Sequence, residues 1–402
     1  MKFIDQSYEL LPIPEPTDHF GVLRHIERIG RVCYKSEDKI TDESCVKFIK
    51  MLRDRKHWAM LEHYIFALSV TEDIWNAFYD VKHLQINNPD YLTKCKFINM
   101  TYDNEVSNPK KYIYIISGSA TAFNYIWECV NLKNNKMTEG IAKVFAFMRF
   151  YYPELTKSPY SDHDEELICR SVAGSYMLDN PEISFISREE IKDLPLRIRK
   201  VHDFISIKYT TNRGISHELV RHRPCSWAQE STRYCNYGNK GFQFIIPHWL
   251  SESDKDILMK DKIINNLLEY PLTSDIIEGI GLSNKAFNWF LAMKCSSNVY
   301  ERLIKDDSNG ETAWAAQQAR GVLPHDIKTE ICQTATLEEM IHFFNMRCPS
   351  TAHPQMRELA VPLLAEVGND IPEVFGEQAN ILLDEERKKV CLLRENMKNY
   401  LK

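Results

Sequence analysis

No stretch of this chain is apolar for long enough to cross a bilayer. The longest runs, such as residues 112–116, fall far short of the ~20 residues a spanning helix needs, and no membrane partner is expected. Met1 is followed by Lys2-Phe3-Ile4-Asp5 rather than by an apolar segment, so no signal peptide is expected either. The eleven cysteines are an odd number, and none stands in a Cys-x-x-Cys pair, which argues against a zinc ribbon or a thioredoxin-type redox site. They read as reduced thiols of a cytoplasmic protein. A basic excess is missing as well. The formal net charge is −6, whereas a dedicated nucleic-acid binder carries a net basic balance or a long basic run. Internal repeats and low-complexity tracts are not found.

What is there is an ordinary globular composition, 44% hydrophobic and 26% charged over 402 residues. That length suffices for a sizeable core and suggests either two or three domains or one core with large insertions. Residues 8–18 are proline-rich and expected to be extended. Residues 21–33 read as a helix, with Leu23, Ile26, Ile29 and Gly30 at helical spacing. A second helix is expected over 41–55, with Thr41 as its N-cap and Ser44, Cys45, Phe48, Ile49 and Leu52 as its inner stripe. Aromatic and β-branched runs predict strands at 64–70, 111–117, 204–209 and 242–246. Helices are expected over 120–131, 138–152, 215–221, much of 251–298, and 312–321. Thr336-Leu337-Glu338-Glu339 is a capping box opening a helix that runs to Arg347, and a last amphipathic helix follows Pro354. The stretch from Glu385 is charged and expected to face solvent. Few strands alternating with many helices make the fold class α/β or α+β.

Chemistry concentrates in residues 217–234, His-Glu-Leu-Val-Arg-His-Arg-Pro-Cys-Ser-Trp-Ala-Gln-Glu-Ser-Thr-Arg-Tyr. His217-Glu218 invites comparison with the HExxH zinc motif. That motif needs its second histidine four residues on, where this chain has Arg221, so no metal site is expected. A helix end carrying basic residues can simply offset the dipole. That account covers Arg221, His222 and Arg223 poorly, because Ser226, Gln229, Glu230, Ser231, Thr232 and Arg233 follow directly. An anion site for a large phosphorylated ligand explains the run better, since guanidinium forks grip phosphate bidentately and hydroxyls complete the cradle. Beside Ser231 the sequence offers only Gln229 and Glu230 as activating groups, so it reads as a hydrogen-bond donor rather than a nucleophile. Cys225 reads as a small buried residue.

Arg221-His222-Arg223, seven residues and then Ser231 resemble the RHR-x7-S signature of the flavin-dependent thymidylate synthases, and Arg233-Tyr234 extends the match. Upstream, His57 with Glu62-His63 is similar to that family's His-x4-Glu-His segment. Downstream, Arg320-Gly321-Val322-Leu323-Pro324 and Phe343-Phe344-Asn345-Met346-Arg347 are similar to its C-terminal nucleotide segment. The blocks occur in family order and, with the N-terminal helices, cover roughly half the chain. Three departures stand out: Cys33 where the family often has Ser, His342 where it often has Asn, and Thr351-Ala352-His353 where it has His-Ala-Gln.

The resemblance implies a central, mostly antiparallel sheet flanked by helices. It implies a single domain over residues 1–402, interrupted by insertions at about 72–200 and about 275–310. It implies methylation of dUMP to dTMP, with FAD as cofactor, methylene-tetrahydrofolate as carbon donor and NADPH as reductant. The dUMP-binding set would be Glu218, Arg221, Gln229, Glu230, Ser231, Thr232, Arg233, Arg320 and Arg347. The FAD-binding set would be His57, Glu62, Arg221, His222, Arg223, Gln229, Thr336, Glu338 and His342. Arg347 would be the catalytic cation beside the uracil ring. A homotetramer with shared active sites is implied as well. The remaining alternatives are a catalytically inactive nucleotide- or flavin-binding relative and, against the acidic balance, a nucleic-acid-binding module.

Overall fold

The computed structural model describes residues 1–83, 98–103, 114–129, 135–156, 182–260, 281–306 and 312–381. The polar stretch 157–181, with His163, and the charged stretch from Glu385 lie outside the described residues.

The strands are β1 (Lys2–Ile4), β2 (Ser7–Leu11), β3 (Phe66–Val70), β4 (Asn99–Tyr102), β5 (Tyr114–Gly118), β6 (Ile183–Phe185), β7 (Phe204–Asn212), β8 (Ser226–Gln229), β9 (Gln243–Ile245) and β10 (Lys328–Thr336). The main helices are α1 (His19–Tyr34), α2 (Ser44–Asp54), α3 (Glu72–His83), α4 (Ala120–Cys129), α5 (Asn135–Tyr151), α6 (Leu196–His202), α7 (Arg213–Leu219), α8 (Glu252–Leu258), α9 (Asn284–Leu303), α10 (Leu337–Arg347) and α11 (Pro354–Asp370).

The central antiparallel sheet has the order β2-β7-β10-β8. β10 is its key strand, pairing with β7 along its whole length, from Lys328 opposite Asn212 to Thr336 opposite Phe204. On its other side it pairs with β8, from Ile331 opposite Gln229 to Thr334 opposite Ser226. This strand was not expected from sequence, and the reason is physical. Lys-Thr-Glu-Ile-Cys-Gln-Thr-Ala-Thr carries little apolar alternation, yet almost all of it is buried. Its polar groups are matched one by one. Gln333 accepts from the Tyr209 hydroxyl at 2.8 Å and donates to Cys225 Sγ at 3.1 Å. The Thr334 hydroxyl lies 2.8 Å from Ser206 Oγ and 2.9 Å from His63 Nδ1. Buried polar groups are tolerated when satisfied in this way.

Helix α1 buries Leu23, Ile26, Ile29 and Gly30, as the periodicity predicted, together with Val22 and Val32. Asp18 caps it through Gly21 N–H, and Lys35 in the left-handed region ends it. Gly30 lets α2 approach closely, since a Cβ there would meet Phe48 Cε1 at 2.9 Å. α2 begins later than expected. Thr41 does not cap it; Ser44 Oγ instead accepts from Thr41 N–H and donates to Glu27. The alanine-rich helix expected over 312–321 shrinks to one turn, Ala316–Ala319, and a 3-10 turn, Arg320–Val322. Residues 312–315, which precede that turn, have no regular secondary structure and are exposed, so little buried surface holds a longer helix together.

The segment after β3 builds a second antiparallel sheet, β4-β5-β3-β6. Helices α3, α4 and α5 bury Phe78, Trp127 and Phe145 against the same core that α1 and α2 fill. His202, at the end of α6, is satisfied in the interior by Thr101 and Ser117. A separate core joins β7 and β10 to α7, α10 and α11 through Tyr209, Leu219, Phe343, Phe344 and Leu363. The fold is thus mixed α and β with antiparallel sheets and helical additions, in agreement with the expected class.

Candidate functional site

Strand β7 leads into α7 through Asn212, whose side chain accepts from Ile215 N–H and whose amide donates to Asp326 at 3.0 Å. That cap fixes where α7 starts and therefore where it stops. The chain leaves α7 and turns back at 222–225, with Cys225 N–H donating to the His222 carbonyl, to enter β8. Arg221 and Arg223 project from this turn and are exposed, while His222 is buried between them.

Helix α10 delivers Arg347 to the same place. Its Nε donates to His222 Nε2 at 2.8 Å, its Nη1 to Glu218 Oε2 at 2.9 Å, and its Nη2 to the Glu218 carbonyl at 2.9 Å. Burial, reinforced by the Arg347 cation and His342, holds the His222 pKa down at about 4. His222 is therefore neutral at pH 7. Accepting at Nε2, it carries its proton on Nδ1. Its ring stands 5.9 Å from that of His342 and 5.0 Å from that of Phe343. The expected catalytic cation and two of the expected ligand residues thus meet, across more than a hundred residues of sequence.

A second group forms a cavity of about 300 Å³ beside the turn, lined by Glu62, Arg223, Ser226, Thr334, Thr336 and Glu339, among others. Burial pushes the Glu62 carboxyl up to about 7, opposed only weakly by Ser226 Oγ donating from 3.5 Å. Burial likewise pushes Glu339 up to about 7. Near neutral pH both are substantially protonated, so Arg223 contributes the firmest charge in the lining, and it is positive. Ser226, Thr334 and Glu339 were missing from the expected site. Thr334 could not have been found without recognising β10.

The third group is the loop after β8. Ser231 N–H donates to the Cys33 carbonyl at 3.0 Å, and Arg320 Nη1 donates to Thr232 Oγ1 at 3.4 Å. Gln229 Nε2 donates to Ser216 Oγ at 2.7 Å. Arg233 is exposed and its guanidinium lies over the Tyr234 ring at 5.5 Å. Tyr234 stacks on Tyr34 at 5.9 Å, and Tyr34 stacks on His57 at 6.0 Å and hydrogen-bonds its Nδ1. A ladder of three rings therefore links His57 to the loop. Tyr34, its central member, carried no signal in the sequence.

Some expected site residues are placed differently. Glu230 does not face this surface. It is 3% exposed, and its carboxylate accepts from the Tyr237 hydroxyl at 3.1 Å and from Lys328 at 3.2 Å. Glu218 is engaged by Arg347 rather than open to an incoming N–H. Thr336 and Glu339 spend their side chains on the α10 capping box, and Glu338 points to solvent.

Residues 201–373 match the family model described as thymidylate synthase complementing protein. The chain is 30% identical over 166 residues to the flavin-dependent thymidylate synthase of Geobacter sulfurreducens, covering 41% of this chain and 56% of the relative. It is 32% identical over 166 residues to that of Clostridium tetani, covering 41% and 57%, and 29% identical over 168 residues to that of Corynebacterium glutamicum, covering 41% and 58%. The chain spans little over half the length of these relatives. The resemblance drawn from the Arg221-to-Ser231 motif is borne out over the C-terminal part of the chain. His57 and Glu62 precede the residues of the family match.

Proposed function

We propose that this protein is a flavin-dependent thymidylate synthase that methylates dUMP to dTMP, with FAD as cofactor, methylene-tetrahydrofolate as carbon donor and NADPH as reductant. The observation that carries the reading is Arg347 meeting Glu218 and His222 at the turn that bears Arg221 and Arg223. That arrangement brings the family-like C-terminal block onto the motif.

The residues present fit a flavin nucleotide. Arg223 stands at a cavity where burial raises both carboxyls so that each is only about half ionised near pH 7, and its lining favours an anionic, phosphate-bearing ligand. Glu62, Arg223 and Ser226 would hold it, with Arg221, His222, Gln229 and His342 as further contacts outside the cavity lining and His57 on the ring ladder. Thr336 lines the cavity with its hydroxyl already committed to the helix cap, and exposed Glu338 stands beside it. When bound, the reduced flavin supplies a hydride to the pyrimidine.

The remaining steps belong to this chain. Ser231, Thr232, Arg233 and Arg320 form a cradle for a nucleoside monophosphate, with Arg221 and Gln229 beside it. Negative charge that develops on the uracil carbonyls needs a fixed cation, and preorganised donors do this best because they need not reorganise. Arg347 is held by three hydrogen bonds, which leaves one N–H on each of its terminal nitrogens for such an oxygen. Neutral His222 holds Arg347 without cancelling its charge. Glu218 does cancel part of it, so ligand binding is expected to loosen that pair.

A single domain interrupted by insertions is the domain reading we favour, supported by the second sheet sharing one core with α1 and α2. A homotetramer with shared sites is part of the same proposal, supported by the exposure of Arg221, Arg223 and Arg233. A cytoplasmic location completes it; no described helix is long and apolar enough to cross a membrane. The visible spectrum of the purified protein, with and without dUMP under NADPH, tests the function. Flavin absorbance that bleaches faster with dUMP supports it, and a protein that takes up no FAD overturns it.

A further inference from the structure

The loop that carries Ser231, Thr232 and Arg233 leaves the central sheet where ladder pairing stops, since the terminal β8–β10 pair is Gln229 opposite Ile331. Glu230 is the first residue past that pair, yet both its backbone and its side chain are held. Its N–H donates to the Glu330 carbonyl at 2.8 Å, and its carbonyl accepts from Arg213 Nη1 at 3.2 Å. Its carboxylate is fixed from two sides, by Tyr237 at 3.1 Å and by Lys328 Nζ at 3.2 Å.

Lys328 is the hub. Its ammonium also lies 3.1 Å from Glu330 Oε1, and Glu330 in turn pairs with Lys35 at the end of α1. Two residues earlier in α1, the Cys33 carbonyl accepts from Ser231 N–H. Both side chains of the Lys328–Glu230 pair are nearly inaccessible, at 7% and 3% exposure. Such pairs are commonly no more stabilising than two apolar side chains of the same volume. What they add is direction: a carboxylate fixed between a cation and a hydroxyl cannot slide, and neither can the backbone attached to it.

We infer that Lys328 is a positioning residue. Through Glu230 it fixes the backbone from which Ser231 and Arg233 reach the phosphate of the nucleotide, and the inference rests on the dUMP-binding reading of that loop. Arg233 is exposed, and its guanidinium makes no hydrogen bond among the described residues and lies only over the ring of Tyr234 in the same loop, so its aim depends on where the loop backbone is held. A small misplacement of such a group costs a large share of its contribution.

The test uses the full-length protein and three variants: Lys328→Met, Lys328→Arg, and the double variant Lys328→Met with Glu230→Leu. Melting temperature, retained flavin absorbance, the calorimetric Kd for dUMP, and KM and kcat are measured on each. In Lys328→Met the Kd and KM for dUMP are expected to rise at least about tenfold, with flavin retained and kcat at saturation nearly unchanged. Lys328→Arg is expected to recover most of that loss. The double variant is expected to regain the melting temperature of the parent but not its affinity. Affinity that returns with stability in the double variant assigns the pair a purely structural role and overturns the inference. A folded Lys328→Met that binds dUMP within about twofold of the parent overturns it as well. If Lys328→Met does not fold, the double variant decides. A parent that binds no dUMP overturns the functional reading itself, and the inference falls with it.

Discussion

Removing the Arg347 side chain separates its proposed chemical role from its structural one. Arg347→Ala deletes three hydrogen bonds, two of them to Glu218 and one to His222. Charge-assisted hydrogen bonds contribute about 1.5–3 kcal/mol each when fully buried. These are not: the Arg347 and Glu218 side chains are 18% and 28% exposed, so water can replace the lost donors. The discounted loss of stability is about 2 kcal/mol, which for a chain of this size lowers Tm by only a few degrees. The catalytic loss is of a different order. Removing one preorganised donor to a developing oxyanion costs about 100- to 1000-fold in rate. Turnover in Arg347→Ala should therefore fall by at least about 100-fold, with flavin absorbance retained and Tm nearly preserved. One independent readout accompanies it. Losing the neighbouring cation should raise the His222 pKa from about 4 toward the ordinary imidazole value, with burial still holding it below that value. An NMR titration of the histidine ring protons reads this directly. Turnover within about tenfold of the parent would refute the assigned role, and a collapse of Tm that parallels the activity loss would refute the energetic reasoning.

Other outcomes follow from the same geometry. Burial raises the Glu62 carboxyl to about 7, so its neutral form contributes stability that is complete below the unfolded pKa near 4.5 and lost as pH rises through 7. Glu62→Gln should accordingly raise Tm at pH 8 but not at pH 5; equal shifts at both pH values would contradict the assignment. Burial holds His63 at about 3 and His25 at about 4, so both stay neutral in the fold while the unfolded chain protonates below pH 6.5. Stability should then fall by about 1.4 kcal/mol per pH unit per histidine between pH 6.5 and about 4. His63→Asn, which can still meet Thr334, should flatten that slope in urea titrations at stepped pH. Asn212→Ala removes the cap of α7 together with the bond to Asp326, and about 1–2 kcal/mol of stability with it. Because α7 sets the turn at 222–225, the same variant should weaken flavin retention, measured by absorbance after gel filtration.

Much of the fold was legible where burial is apolar and periodic. The inner stripes of α1 and α2 appear in sequence as they appear in the core, and the Thr336–Glu339 capping box opens α10 as expected. Strand β10 was not legible, because its burial is polar. Nothing local distinguishes Gln333 or Thr334 from loop residues; their partners Tyr209, Cys225, Ser206 and His63 lie far away in the chain. The short alanine-rich helix failed for the opposite reason. Local propensity was present, but no large core surface was there to hold more than a turn.

The candidate site divides in the same way. The residue types of the Arg221-to-Arg233 run, their spacing, and the absence of a metal-binding histidine at position 221 were settled by the sequence alone, because they depend only on chain order. Which of those residues share a surface was not. Glu230 and Ser231 are neighbours in sequence, yet one is locked inward on Lys328 and the other lies at the surface of the loop. Arg347 reaches Glu218 only because β10 places α10 beside α7. The sequence determined which functional groups exist and in what order; the tertiary structure decided which of them are desolvated, paired or exposed, since those properties depend on neighbours that the chain brings in from elsewhere.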